Sequence, residues 1–328
     1  MKVFLLSAYP YDSQDNYLVP YVRESAAADP FQVHALTEDP AEADLIIFTE
    51  QRPYWDPYYW DVYRHPIYQS YAEKCYLFHD NYMTIPFMPT ITPLLERHHF
   101  DPVLTQPSGY IVGMIPNNAI QEFGLSAEKK YLFSFVGASY THPCRADIFK
   151  LTHERGRLVD TSQVKVKELS AEATVEFEKS YAAIGLASKF ILCPRGFGAN
   201  SYRLYETLEM GIPPVIISDE WVPTAGPAWE DFSLRLAEAE IATLPQVLVA
   251  KEEEAERMGK LARQAWEEWF AKERQFHYLT EACLRLQATR PQITVATYLR
   301  QGKRFLTSFH LRNVLRTCKH RIVRSISS

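Results

Sequence analysis

Glycine is scarce in this chain, with 12 in 328 residues, well below the roughly 7% average. That excludes flexible glycine-rich linkers and makes each glycine a position to explain. Four of them, Gly185, Gly196, Gly198 and Gly211, fall in one short stretch. The five cysteines (75, 144, 193, 283 and 318) are scattered, odd in number and without a Cys-x-x-Cys pair. They exclude a disulfide framework and a cysteine-based zinc site, and they read as reduced thiols. There is no Asp-x-Asp pair, no Gly-x-Ser-x-Gly elbow and no phosphate-loop lysine. No uncharged apolar run is long enough to span a membrane. Met1-Lys2 leads directly into Val3–Leu6, too short for a secretory core. Together these absences predict a cytoplasmic location. A net charge of −5 argues against general nucleic-acid binding.

What is present is an ordinary globular composition, 47% hydrophobic and 23% charged. The length predicts two domains. In the first, apolar runs at Lys2–Ser7, Gln32–Leu36, Leu45–Thr49 and Cys75–Phe78 read as strands, with a helix over Tyr17–Ala28. Asp12, Glu50, His79 and Asp80 follow strands, where open α/β sheets gather ligands. Each could serve as a general base, and each is also an ordinary loop or cap residue. Residues 51–70 hold Tyr54, Trp55, Tyr58, Tyr59, Trp60, Tyr63 and Tyr68, which could stack on sugar rings or pack a helix on the sheet. The apolar pattern breaks near 117–130. A second α/β unit then begins with the strand Tyr131–Val136 and its terminal Gly137. A helix starting at Arg145, a weak strand at Leu158–Val159 and a short helix over Ser180–Ala187 follow.

The stretch Lys189–Asp219 organises this second unit. Phe190–Cys193 is a buried strand closed by Pro194. Gly196 and Gly198 make a loop able to adopt positive φ. Asn200 or Ser201 caps a helix with Leu204 and Leu208 on one face, and Gly211 ends it. Val215–Ile217 is a second strand, with Asp219 just beyond. A strand, a glycine loop and a helix N-terminus form a phosphate cradle, or a βαβ unit without ligand.

Residues 252–288 read as a long amphipathic helix broken once, with Leu261, Ala265, Trp269 and Phe270 on its core face. From Leu299 onward there are eight Lys or Arg and no acid, which leaves −13 on the rest of the chain. Phe305, Leu306, Phe309, Leu311, Val314 and Leu315 give this tail an apolar face, suited to an anionic membrane surface or to packing on the acidic body. The expected domains are 1–125, 126–250, a helical segment 251–298 and a basic tail 299–328.

The stretch SKFILCPRGFGANSYRLYETLEMGIPPVIISDEWVPT resembles the central motif of the exostosin-type glycosyltransferases. LFSFVGASYTHPCRADIF (132–149) is similar to that family's F-x-G segment with a downstream arginine, and TEDPAEADLIIFTE (37–50) to its approach to an N-terminal strand. The resemblance covers roughly 37–250 and is strongest over 188–223. It implies a GT-B architecture, two facing Rossmann-like α/β domains, with inverting sugar transfer that needs no Asp-x-Asp metal. The donor would be a nucleotide sugar, UDP-linked, with no permanently bound cofactor and no catalytic metal. The acceptor would be a glycan or lipid-linked glycan, and the tail would place the protein on the inner face of a membrane.

By the same resemblance, Glu206 stands where GT-B enzymes carry a ribose-binding carboxylate (E-x-x-x-x-G). Arg195 would bind the diphosphate, Ser201, Gly196 and Gly198 the phosphates, and Gly137 with Arg145 the opposite wall. Arg203 belongs to the same constellation, and Asp219 would lie near the sugar or ribose. Arg203 and Glu206 could instead form a surface i,i+3 ion pair. His79 or Asp80 is the expected base that deprotonates the acceptor hydroxyl. The other class of function is a non-catalytic partner that binds sugar nucleotide or glycan and stabilises another transferase.

Overall fold

The computed structural model describes the chain apart from residues 10–16, 52, 54, 84, 112–116, 123–126, 166–167 and 328, and the side chains of 121–122 and 320–327. Asp12, Asp15 and Tyr54 therefore lie outside the described residues. The chain divides into two compact units. One comprises Met1–Leu95, His99–Gly109 and Lys272–Ser328, and the other Glu96–His98 and Tyr110–Ala271.

The first unit holds the strands β1 (Lys2–Leu6), β2 (Ala35–Leu36), β3 (Leu45–Glu50), β4 (Cys75–His79), β5 (Thr90–Thr92) and β6 (Thr105–Pro107). They form one parallel sheet in the order β2-β1-β3-β4-β5-β6. Every residue of β3 and β4 is buried, as expected where helices cover both faces of a parallel sheet. The second unit holds β7 (Tyr131–Gly137), β8 (Gly156–Asp160), β9 (Ser188–Pro194), β10 (Pro214–Ile217) and β11 (Leu234–Leu236). Its sheet is also parallel, in the order β11-β10-β9-β7-β8. Numbered within each unit, the first sheet runs 2-1-3-4-5-6 and the second 2-1-3-4-5. This doubly wound order places a ligand crevice beyond the carboxyl ends of the first and third strands. The fold is α/β with two Rossmann-like domains, the composition expected for a GT-B enzyme.

Local chemistry explains most elements. Ser201 caps the helix Tyr202–Glu209 through its Oγ, which accepts from the Arg203 amide, while Asn200 Nδ2 donates to Tyr205 Oη. Leu204 and Leu208 are buried on that helix. Gly211 has φ +66 and ends it, with its amide on the Leu208 carbonyl. The helix at 180–187 is longer than expected, Ala171–Leu186, capped by Ser170. Only Ala182, Gly185 and Leu186 of it are buried, so its first half carries no apolar periodicity to read. The long C-terminal helix breaks once: Ala255–Ala265 is followed by a π turn at Trp266–Phe270 and by Lys272–Thr289. The break falls where the chain passes from the second unit back to the first, so 251–298 does not behave as one segment.

One alternative in the first unit resolves toward packing. Tyr58 and Tyr59 are buried, Tyr63 packs edge-on against Tyr68, and Tyr9 against Trp55 and Tyr59. These rings fill the core beside the sheet. The tail is helical over Val295–Lys303 and Ser308–Ser327. It packs on the first unit through a largely polar face: Thr297, Gln301, His310, Asn313 and Thr317 are buried. His310 Nδ1 lies 3.0 Å from Tyr58 Oη, and Phe305 stacks on Phe87. Leu306, Phe309, Leu311 and Leu315 point outward. No helix among the described residues is long and apolar enough to cross a membrane.

Candidate functional site

The crevice of the second unit lies beyond the carboxyl ends of β7 and β9, which deliver Gly137-Ala138 and Pro194-Arg195. Three guanidinium groups converge there. Arg145, from the helix Pro143–Ile148, is buried and donates to backbone carbonyls only: Nε to Arg195 (2.7 Å), Nη2 to Pro194 (3.2 Å) and Nη1 to Ala138 (3.4 Å). It clamps the two strand ends together. Burial, followed by the charge of Arg203, pushes its pKa down to about 10. The expected wall residue thus acts first on the protein's own backbone.

Arg203 is buried in the first turn of the helix Tyr202–Glu209. It donates to the Val136 carbonyl and lies 4.8 Å from the centre of the Phe135 ring. Its Nε has no partner. Arg195 is also buried, with Nη2 donating to Glu96 Oε1 at 2.9 Å and Nε unpartnered. A buried N–H without an acceptor costs about 1–3 kcal/mol, and an anionic ligand would satisfy both.

The glycines serve this geometry by absence of a side chain. A Cβ on Gly137 would lie 2.9 Å from Arg203 Nη2, and one on Gly196 would lie 3.3 Å from Arg145 Nη2. Gly196 does not use left-handed φ, contrary to the expectation from the sequence; its role is to admit the arginine. Gly198, Asn200 and Ser201 line the buried loop before the helix. Ser218 Oγ holds that loop by donating to the Ala199 carbonyl.

Glu206 lies one turn along, buried. Tyr181 Oη donates to its Oε2 at 2.6 Å. Burial pushes its carboxyl up to about 7, against that hydrogen bond and the Arg203 charge. Arg203 and Glu206 do not pair with each other, so the surface ion-pair alternative falls away. Asp219 is exposed and tied into a loop clasp: its amide donates to Glu238 Oε1, and its Oδ1 accepts from the Glu238 amide. That engagement favours a structural role over a sugar contact.

In the first unit, His79 ends β4. It is 2% exposed, and its Nδ1 accepts from the Asn81 amide at 3.0 Å. Burial pushes its pKa down to about 3, which makes it a poor proton acceptor. Asp80 is half-buried and accepts from Tyr17 Oη at 3.0 Å. At the β1/β3 crevice itself stands Glu50, whose oxygens accept from the Ala8 amide (2.6 Å) and Ser7 Oγ (2.7 Å). Burial pushes Glu50 up to about 8.

Sequence spacing missed two contributors. Tyr181 lies 25 residues before Glu206, and Glu96 lies 99 residues before Arg195. The segment at Glu96–His98 joins the second unit through a bridge from Glu96 to Trp221 and the Arg97 amide on the Glu220 carbonyl. Nothing local in the sequence signals either contact.

Residues 96–251 match the exostosin GT47 domain model. The exostosin-1 homolog of Caenorhabditis elegans is 27% identical over 137 residues, 38% of this chain and 36% of that protein. Exostosin-1 of Drosophila melanogaster is 29% identical over 168 residues, 46% of this chain and 22% of that protein. The chain therefore matches only a minor part of either relative. Among solved structures, WaaG, a glycosyltransferase involved in lipopolysaccharide biosynthesis, aligns over 87% of this chain and 99% of its own, at TM-score 0.37 and 12% identity. Anabaena Alr3699/HepE in complex with UDP aligns over 89% and 100%, at TM-score 0.33 and 12% identity. Similarity at that level decides neither fold nor function. The domain match and the two curated relatives make this chain similar to exostosin-type glycosyltransferases over a little under half of its length.

Proposed function

We propose that this chain transfers a sugar from a nucleotide sugar, UDP-linked, to a glycan or lipid-linked acceptor. The observation that carries the reading is the pair of buried, unpartnered Nε–H groups on Arg195 and Arg203 at the β7/β9 crevice. Buried donors are mostly satisfied in protein interiors, and two such groups at one crevice suit a diphosphate. Arg195 and Arg203 carry the diphosphate charge, the loop at Gly196–Ser201 lies along the phosphates, and Glu206 accepts the ribose hydroxyls. Gly137 leaves room for Arg203, and Arg145 holds the strand ends that define the crevice.

In the proposed reaction the acceptor hydroxyl loses its proton to a base and attacks the anomeric carbon. The bond to the diphosphate oxygen breaks, and the nucleoside diphosphate leaves with the electron pair, inverting the centre. The arginines neutralise that leaving group, so no divalent ion is required. For the base, the facts above favour Asp80 over His79. Glu50 is a further candidate, since a carboxyl poised near neutral pH suits proton abstraction.

The outward apolar residues Leu306, Phe309, Leu311 and Leu315, interspersed with Arg304, Arg312 and Arg316, support a role for the tail on an anionic membrane surface. Replacing Leu306, Phe309 and Leu315 with serine spares the buried polar face and should reduce sedimentation with phosphatidylglycerol vesicles; unaltered binding refutes that role.

A thermal-shift panel of nucleotides and nucleotide sugars tests the main reading, because a ligand bound only by the native state raises its stability. A UDP-sugar should stabilise the wild type and not the Arg195→Ala or Glu206→Ala variants. Equal stabilisation of all three refutes the donor site. Donor binding without turnover, in the presence of acceptor glycans, favours the non-catalytic partner instead.

A further inference from the structure

The first unit contains a second cluster of chemically capable side chains, unrelated to sugar transfer. The helix Lys272–Thr289 carries His277 and Glu281 four residues apart, on one face. His34, immediately before the edge strand β2, meets them. His34 Nε2 lies 3.1 Å from Glu281 Oε1. The His34 and His277 rings are 5.2 Å apart, centre to centre, and inclined by 30°. One ligand atom from each of the three residues lies within 4.8 Å of the others.

Two further observations set this cluster apart from a chance meeting. The His34 side chain is only 5% exposed, yet its Nδ1 has no hydrogen-bond partner, and neither has the buried Nδ1 of His277. Buried imidazole nitrogens are normally satisfied. The approach to His34 is also strained: Gln32 has φ +53, a conformation that costs a residue with a side chain roughly 1–2 kcal/mol. That turn lays Phe31 flat on His277 at 4.0 Å and brings His34 to the helix. Strain of this kind persists where the surroundings gain from the resulting geometry. Asp29, with a buried and unpartnered Oδ2, adds negative charge near His277 that Arg274 partly opposes.

We propose that His34, His277 and Glu281 bind a divalent transition-metal ion, zinc by preference, that clasps the helix Lys272–Thr289 to the edge of the first sheet. Two imidazoles and one carboxylate suit zinc and exclude magnesium and calcium, which take oxygen ligands. Three protein ligands leave a fourth position for water. Two other clusters of this type among the described residues are less suited. In Glu96, His98 and His99, Glu96 already accepts from Arg195 and His98 Nδ1 already lies 2.7 Å from Glu220 Oε2. The third is His142, Cys144 and Glu238. There His142 Nδ1 already accepts from the Cys144 amide, and Glu238 already holds Asp219.

The test uses the full chain, stripped with chelator and titrated with Zn2+ and, separately, Co2+. The expected result is one equivalent bound, a rise in Tm, and the visible absorption of low-symmetry Co2+. His34→Gln and Glu281→Gln should each weaken binding by at least the roughly 10–100-fold that loss of an outer-shell partner costs, while circular dichroism of the stripped proteins stays at the wild-type signal. Absence of saturable binding by the stripped wild type overturns the proposal. So does unchanged affinity in both variants, which would move the ion to another site. Neither readout depends on sugar transfer, so failure here leaves the donor-site reading untouched.

Discussion

Glu206→Gln is the most informative single substitution in the proposed donor site, because stability and binding should move in opposite directions. The Glu206 carboxyl is raised from 4.5 to about 7 by burial. A carboxyl whose folded pKa exceeds its unfolded one stabilises the protein fully below the unfolded value. That contribution is lost as pH rises through the folded value, here between about 4.5 and 7. The difference corresponds to about 3 kcal/mol of stability forgone at pH 8. Glutamine keeps the shape and can accept from Tyr181 Oη through its amide oxygen, yet it never ionises. The variant should therefore match the wild type at pH 4.5 and exceed it at pH 8, where each kcal/mol moves Tm by about 2–4 °C in a unit of this size. Donor binding should weaken in the same protein. Hydrogen bonds from ribose hydroxyls to an ionised carboxylate contribute about 1.5–3 kcal/mol each, and glutamine retains one acceptor. A loss of about 2 kcal/mol raises Kd roughly 30-fold. Calorimetric titration with a UDP-sugar and thermal denaturation at the two pH values read both effects. A variant that is less stable at pH 8 and binds donor unchanged would refute the reasoning and make Glu206 a structural partner of Tyr181.

Other substitutions probe the same architecture. Gly137→Ala sets a methyl 2.9 Å from Arg203 Nη2 and 3.0 Å from the Phe135 ring. Displacing the guanidinium should raise Kd for donor while far-ultraviolet circular dichroism stays unchanged, and undiminished binding would remove Arg203 from the site. Gly259→Ala places a methyl 2.5 Å from the Gly211 carbonyl oxygen, backbone that cannot swing away, and should cost about 1–3 kcal/mol in denaturant unfolding. A neutral effect there would mean the helix Ala255–Ala265 can shift freely. EDTA should leave the initial rate of sugar transfer equal to that in Mg2+ or Mn2+, in both the wild type and His34→Ala. A strict requirement for either ion would refute charge neutralisation by arginine alone.

Much of the second unit was legible in the sequence because its signals are local. An apolar run of strand length, a serine at the helix start and a glycine that must take φ +66 each act within a few residues. The resemblance of the same stretch to exostosin-type transferases is likewise carried by adjacent residues, and the match over 96–251 agrees with it. Boundaries failed where locality failed. The first half of the helix Ala171–Leu186 buries nothing apolar, so no periodicity marks it.

By itself, then, the sequence determined two α/β units, most of their longer strands, and the strand, loop and helix of the stretch from Lys189 to Asp219. Tertiary structure alone decided what the polar side chains do. It spends Arg145 on three carbonyls, joins Tyr181 to Glu206 and Glu96 to Arg195, and holds Asp219 in a loop clasp. It also turns the polar face of the tail inward and brings His34 to His277 across more than two hundred residues. The physical reason is that helix and strand formation depend on neighbours along the chain. The partner of a buried charge depends on which elements pack together, and no spacing along the chain encodes that.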